Sequence, residues 1–129
     1  MKKKILIVED NPQNMRLMEM TLRAKNYTLL KAIDGEEALD MAMRERPDLI
    51  LMDIWLPKVN GLEVTRKLRQ DPAFRHIPII GVTAYAMKGD KERIIVSGCD
   101  VYLSKPIDTH ELPEIITTIL SRRQKDNPW

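Results

Sequence analysis

The chain reads as one α/β domain, a parallel sheet covered by helices on both faces. Three observations predict it. Short apolar runs recur five times and are continuous rather than alternating, as in strands buried on both sides. Between them lie segments whose apolar residues fall at helical spacing. The two kinds of segment alternate strictly, which demands crossover connections and hence parallel strands.

The elements follow in order. KILIV (4–8) is the first strand. From Pro12 to Lys25, Met15, Met18 and Leu22 share one helical face, and Pro12 suits a first turn. TLLKA (28–32) is a second, weaker strand. Asp34-Gly35 is a turn, and Glu36 to Arg46 is a helix with Ala38, Leu39 and Ala42 inward. DLILMD (48–53) is the third strand. Pro57, Asn60 and Gly61 mark a loop, Val64 and Leu68 share a face of the next helix, and Asp71-Pro72 closes it. IPIIGVT (77–83) is the fourth strand, with Pro78 where a missing donor is tolerated. A helix from about Met87 to Val96 is ended by Gly98, and VYLS (101–104) is the fifth strand. The last helix carries Leu112, Ile115, Ile116, Ile119 and Leu120 on one stripe, with Pro113 blurring its start. The domain is expected to span 1–122, with 123–129 as a short flexible tail.

Totals narrow the function. A chain of 129 residues suits one domain. Lys and Arg number 21 against 19 Asp and Glu, and a net charge of +2 argues for neither nucleic acid nor a membrane surface. The single cysteine, Cys99, excludes an internal disulfide and fits a reducing compartment. No apolar run approaches the ~20 residues of a membrane span. The opening MKKKILIV meets Glu9 and Asp10 too early for a signal peptide. A soluble cytoplasmic protein is expected.

At this size the common solution is a flavodoxin-like (βα)5 sheet of strand order 2-1-3-4-5, and ligands bind such sheets outside the carboxyl ends of the strands. Glu9 and Asp10 follow the first strand, Asp53 ends the third, Thr83 ends the fourth and Lys105 follows the fifth. Alone, each has a bland reading: Asp53 a solvated loop acid, Glu9-Asp10 a helix-capping pair, Thr83 a strand residue, Lys105 a surface lysine, Tyr102 packing. Their coincidence on one rim changes the odds. Clustered carboxylates repel unless a cation is present. Lys105 is one such cation, and a hard ion such as Mg²⁺ is another. His76 and His110 stand apart, with no zinc-type cluster. An Asp beside Mg²⁺ and a lysine suits phosphoryl acceptance, with Thr83 hydrogen-bonding an oxygen.

ILIVEDN (5–11), LILMDIWLPKVNG (49–61), VTA (82–84) and YLSKPI (102–107) together resemble a response regulator receiver domain of two-component signalling, over essentially residues 3–122. The resemblance implies that Asp53 is phosphorylated by a histidine kinase or phosphotransfer protein. It implies Mg²⁺ binding by Glu9, Asp10, Asp53 and the Trp55 carbonyl, and phosphoryl contacts from Thr83 and Lys105. Tyr102 would change rotamer as Thr83 moves inward, and Lys105–Pro106 would be cis, against ~5% of X–Pro bonds generally. Ala84 completes the VTA motif. Trp55 and Tyr85, two residues past Asp53 and Thr83, flank the site in this family; both are bulky here and are expected to slow hydrolysis of the acyl phosphate. The output would be an unidentified protein docking on the fourth helix, fifth strand and fifth helix, and the chain resembles a stand-alone receiver rather than one excised from a longer protein.

Two other classes compete. An Asp-nucleophile phosphatase of the haloacid dehalogenase type needs a second Asp two residues on, where Trp55 stands. A flavin or nucleotide module needs a Gly- or Ser/Thr-rich loop after the first strand, where EDNPQN is acidic and lacks glycine. A receiver-shaped interaction module that does not switch is the remaining alternative.

Overall fold

The computed structural model describes residues 2–23, 25–56, 60–84 and 90–126. Its elements run β1 (Lys4–Val8), α1 (Pro12–Arg23), β2 (Thr28–Ala32), α2 (Gly35–Glu45), β3 (Leu49–Asp53), α3 (Gly61–Gln70), a 3₁₀ turn (Pro72–Phe74), β4 (Ile79–Thr83), α4 (Asp90–Ser97), β5 (Val101–Ser104) and α5 (Glu111–Asp126). The strands form one parallel sheet in the expected order, β2-β1-β3-β4-β5.

Strand alternation divides the core into two layers. Leu6, Val8, Ile50, Met52 and Ile79 face α2, α3 and α4, packing with Ala38, Ala42, Val64, Leu68 and Ile94. Ile5, Ile7, Leu49, Leu51, Ile80 and Val82 face α1 and α5, packing with Met15, Met18, Leu22, Leu112 and Ile116. β3 and β4 are buried at every position, which explains their unbroken apolar runs. β2 and β5 lie at the edges and are only partly buried. Edge residue Lys31 carries a charge outward and pairs with Glu19 at 3.3 Å.

The boundaries differ from the sequence reading where side chains compete for backbone groups. Asp34 is the N-cap of α2 rather than part of a free turn: its carboxylate accepts the Glu37 N–H at 2.8 Å, and Gly35 is the first helical residue. β4 begins at Ile79, not Ile77, because Pro78 has no N–H and the Ile79 N–H is taken by the Asp100 carboxylate at 2.8 Å. Pro113 sits inside the first turn of α5, where no intrahelical partner is lost, and Asp108 accepts the N–H groups of His110 and Glu111 just before it. The expected start of the fourth helix at Met87 lies outside the described residues.

Asn11, Asp34, Asn60 and Asp108 each receive the N–H groups that open a helix, and all four follow the carboxyl ends of strands. This rim of tight strand-to-helix turns is where the candidate residues collect.

Candidate functional site

Parallel register brings the rim together. Val8 is opposite Met52, Asp53 opposite Val82, and Thr83 opposite Ser104. Glu9, one residue past Val8, is therefore level with Asp53, and Lys105 follows Ser104 directly. The Lys105–Pro106 bond is cis.

Glu9 and Asp53 are almost wholly buried, at 1% and 4% exposure, whereas Asp10 is exposed. Carboxylate oxygens of Glu9, Asp10 and Asp53 all lie within 4.8 Å of one another. Lys105 enters from the far side: its Nζ donates to Asp53 Oδ2 at 3.3 Å and stands 2.7 Å from Glu9 Oε1. Glu9 Oε2 accepts the Asn11 N–H at 3.1 Å. Its buried Oε1 is ion-paired with Lys105. Asp53 Oδ1 accepts the Trp55 backbone N–H at 3.1 Å.

The electrostatics follow. Burial first, and the adjacent Glu9 carboxylate second, raise the Asp53 carboxyl from 3.8 to about 7, while the Lys105 ammonium and the Trp55 N–H pull it down by less. Burial disfavours the charge on Lys105, but Glu9 and Asp53 together outweigh it, and its pKa is raised. One lysine does not neutralise three carboxylates. An all-oxygen donor set of three carboxylates sharing one lysine fits a hard divalent cation.

The backbone after Asp53 is held by Gly61. A Cβ there would collide with the Asp53 carbonyl oxygen and stand 2.8 Å from Ile54 Cα, and the Gly61 N–H donates to the Ile54 carbonyl at 2.8 Å. The loop thus folds back onto Asp53 and Ile54, and only glycine permits that approach.

Thr83 is fully buried, and its Oγ1 accepts the Trp55 indole Nε1–H at 3.1 Å. Ala84 is exposed just beyond it. Tyr102 lies half-buried on β5 against the core layer under α4, apart from the carboxylates. Tyr85 and Pro57 lie outside the described residues. The sequence reading missed two things. It weighed α1 capping only as the bland alternative for Glu9-Asp10 and did not name Asn11, whose Oδ1 does it, at 2.9 and 3.0 Å from the Gln13 and Asn14 N–H groups. The signal was present, since Asn before a proline is a helix start. It gave Trp55 no tie to Thr83, and spacing carries no trace of that contact.

The family description that matches residues 5–117 is "Response regulator receiver domain". The chain is 54% identical to a polar-differentiation response regulator, DivK, of Brucella anthropi, over 94% of this chain and 96% of that protein. Its structure is similar to a CheY-like receiver domain protein of Methanospirillum hungatei (TM-score 0.91, 28% identity, 98% of this chain and 100% of that one). It is also similar to the receiver domain of a sensor histidine kinase of Pseudomonas aeruginosa, which was crystallised with a magnesium ion coordinated in its active-site cleft (TM-score 0.87, 39% identity, 94% and 99%). No helix among the described residues is long and apolar enough to cross a membrane.

Proposed function

The chain belongs to the response regulator receiver domain family, and from that premise we propose that Asp53 accepts a phosphoryl group from a histidine kinase or phosphotransfer protein and thereby switches a partner-binding surface. The observation that carries this reading is the rim, where Glu9, Asp10, Asp53 and Lys105 converge from three strands.

Asp53 supplies the nucleophile. A carboxylate oxygen attacks the phosphorus of phosphohistidine in line, the P–N bond breaks, and the departing imidazole takes up a proton. When bound by the Glu9, Asp10 and Asp53 carboxylates and the Trp55 carbonyl, Mg²⁺ supplies positive charge to the transferring oxygens. Lys105, already beside Asp53, binds a phosphoryl oxygen and favours the ionised form of the acceptor against burial and Glu9. Thr83 turns in to donate to another, and Tyr102 follows into the space near α4. The phosphoryl group biases an equilibrium that exists without it. The face that changes is α4–β5–α5, where Ile95 and Val96 are exposed and available to an output protein. Catalysis beyond this self-phosphorylation and its hydrolysis is not part of the role. The protein works in the cytoplasm in this reading, where its free thiol Cys99 stays reduced.

Intact-mass spectrometry after incubation with acetyl phosphate and Mg²⁺ tests it. One phosphoryl adduct is expected, absent from Asp53→Asn and absent when a chelator is added. No adduct on folded protein, or an equal adduct on Asp53→Asn, would overturn the assignment.

A further inference from the structure

Trp55 is half-exposed, at 43%, yet its indole reaches down to a fully buried hydroxyl. Strand alternation gives that bond a direction. Asp53 shares its parity with Leu49 and Leu51, which face α1 and α5. Thr83 shares its parity with Ile79, which faces the opposite layer. The crevice around Thr83 and Trp55 is lined by Ile54, Leu62, Arg93 and Ile94 and holds only about 10 Å³. The hydroxyl and the carboxylate it must serve therefore begin on different faces of the sheet.

We propose that Trp55 is a latch on the resting state: its indole N–H holds the Thr83 oxygen on the α4 side, and switching requires that bond to open. This deepens the phosphorylation reading and rests on it. Indole nitrogen is a donor only, so its partner has to be an acceptor such as the Thr83 oxygen. A threonine hydroxyl can donate as well as accept, but here it does so from an oxygen whose position the indole fixes. The latch is tied to the chemistry at its other end, because the Trp55 backbone N–H binds the Asp53 carboxylate at 3.1 Å. Converting that carboxylate to an acyl phosphate alters the group that anchors Trp55. The exposed ring has solvent to swing into. Trp55 is thus a positioning residue acting through Thr83, and it opposes activation rather than assisting it.

The test uses ¹⁵N-labelled full chain. The sequence contains two tryptophans, Trp55 and Trp129, so Trp129→Phe identifies the Trp55 indole resonance. As acetyl phosphate with Mg²⁺ forms the adduct, followed in parallel by intact mass, that resonance is expected to shift and its solvent exchange to accelerate. Thr83→Val keeps the β-branched shape, removes the hydroxyl that the indole donates to, and should produce the same shift without phosphorylation. Trp55→Phe keeps an aromatic ring, smaller than the indole, and loses the donor. It should lower the beryllium fluoride concentration that half-saturates the protein, read from the Lys105 amide, by about two- to tenfold, the range one neutral hydrogen bond carries. A complete adduct with an unmoved indole resonance, or superposable beryllium fluoride curves, would overturn the latch and leave Asp53 as the acceptor. Absence of any adduct would overturn both.

Discussion

Replacing Asp53 with asparagine should stabilise the metal-free protein, and by more as pH rises. Folding buries the carboxyl beside Glu9 and lifts it from 3.8 to about 7. Between those values the folded chain holds a proton that the unfolded chain has released, so this group's contribution to stability is full below 3.8 and declines as pH rises through 7. At ~1.4 kcal/mol per pKa unit, holding Asp53 ionised above pH 7 costs on the order of 4 kcal/mol. Asparagine is an imperfect copy of a protonated carboxyl, since its amide group faces Lys105. Comparing two pH values removes that offset. From pH 5 to pH 8, with EDTA present, the advantage of Asp53→Asn over the native chain should grow by about 2–3 kcal/mol, or roughly 10 °C in Tm for a domain of this size. Differential scanning calorimetry measures it directly. Adding Mg²⁺ at pH 8 should narrow the gap, because the ion binds the folded native chain. A gap of the same size at both pH values would refute the reasoning, since Asp53 would then carry no buried charge to be relieved.

Other perturbations probe how the rim is held. Gly61→Ala forces its Cβ against the Asp53 carbonyl and should cost about 1–3 kcal/mol while lowering the yield of phosphoryl adduct, both checked on one preparation by urea unfolding and intact mass. Asn11→Ala removes the cap of α1 and should cost ~1 kcal/mol by urea unfolding; no loss would mean that another group takes the two N–H donors. At the opposite end, Arg69 donates to the Gly98, Phe74 and Ile77 carbonyls and pairs with Asp100 at 2.7 Å. Arg69→Met should cost about 2–4 kcal/mol without changing phosphorylation at 10 °C, and a loss under ~0.5 kcal/mol would show those carbonyls to be well hydrated.

The fold was legible because continuous apolar strands and striped helices state their burial directly. Once β1, β3, β4 and β5 were placed in order, Glu9, Asp10, Asp53, Thr83 and Lys105 had to share a rim, since all four strands run parallel and present their carboxyl ends at one edge of the sheet. What spacing did not carry was the direction of individual side chains near that rim. Asn11 took the capping role because its amide oxygen lies one residue nearer the helix than Asp10, which leaves Glu9 and Asp10 free for the carboxylate cluster. Nothing in the sequence sets Arg69 apart from the other cations of α3, and its role depends on the Gly98, Phe74, Arg75 and Ile77 carbonyls, which only the fold assembles. Trp55 is the sharpest case. Its place two residues past Asp53 was visible, but its bond to Thr83 spans 28 positions and depends on β3 and β4 being neighbours. An acceptor site built from strand ends can be read from strand ends. Control over that site lies in cross-strand contacts made by the loops, which neither periodicity nor composition encodes.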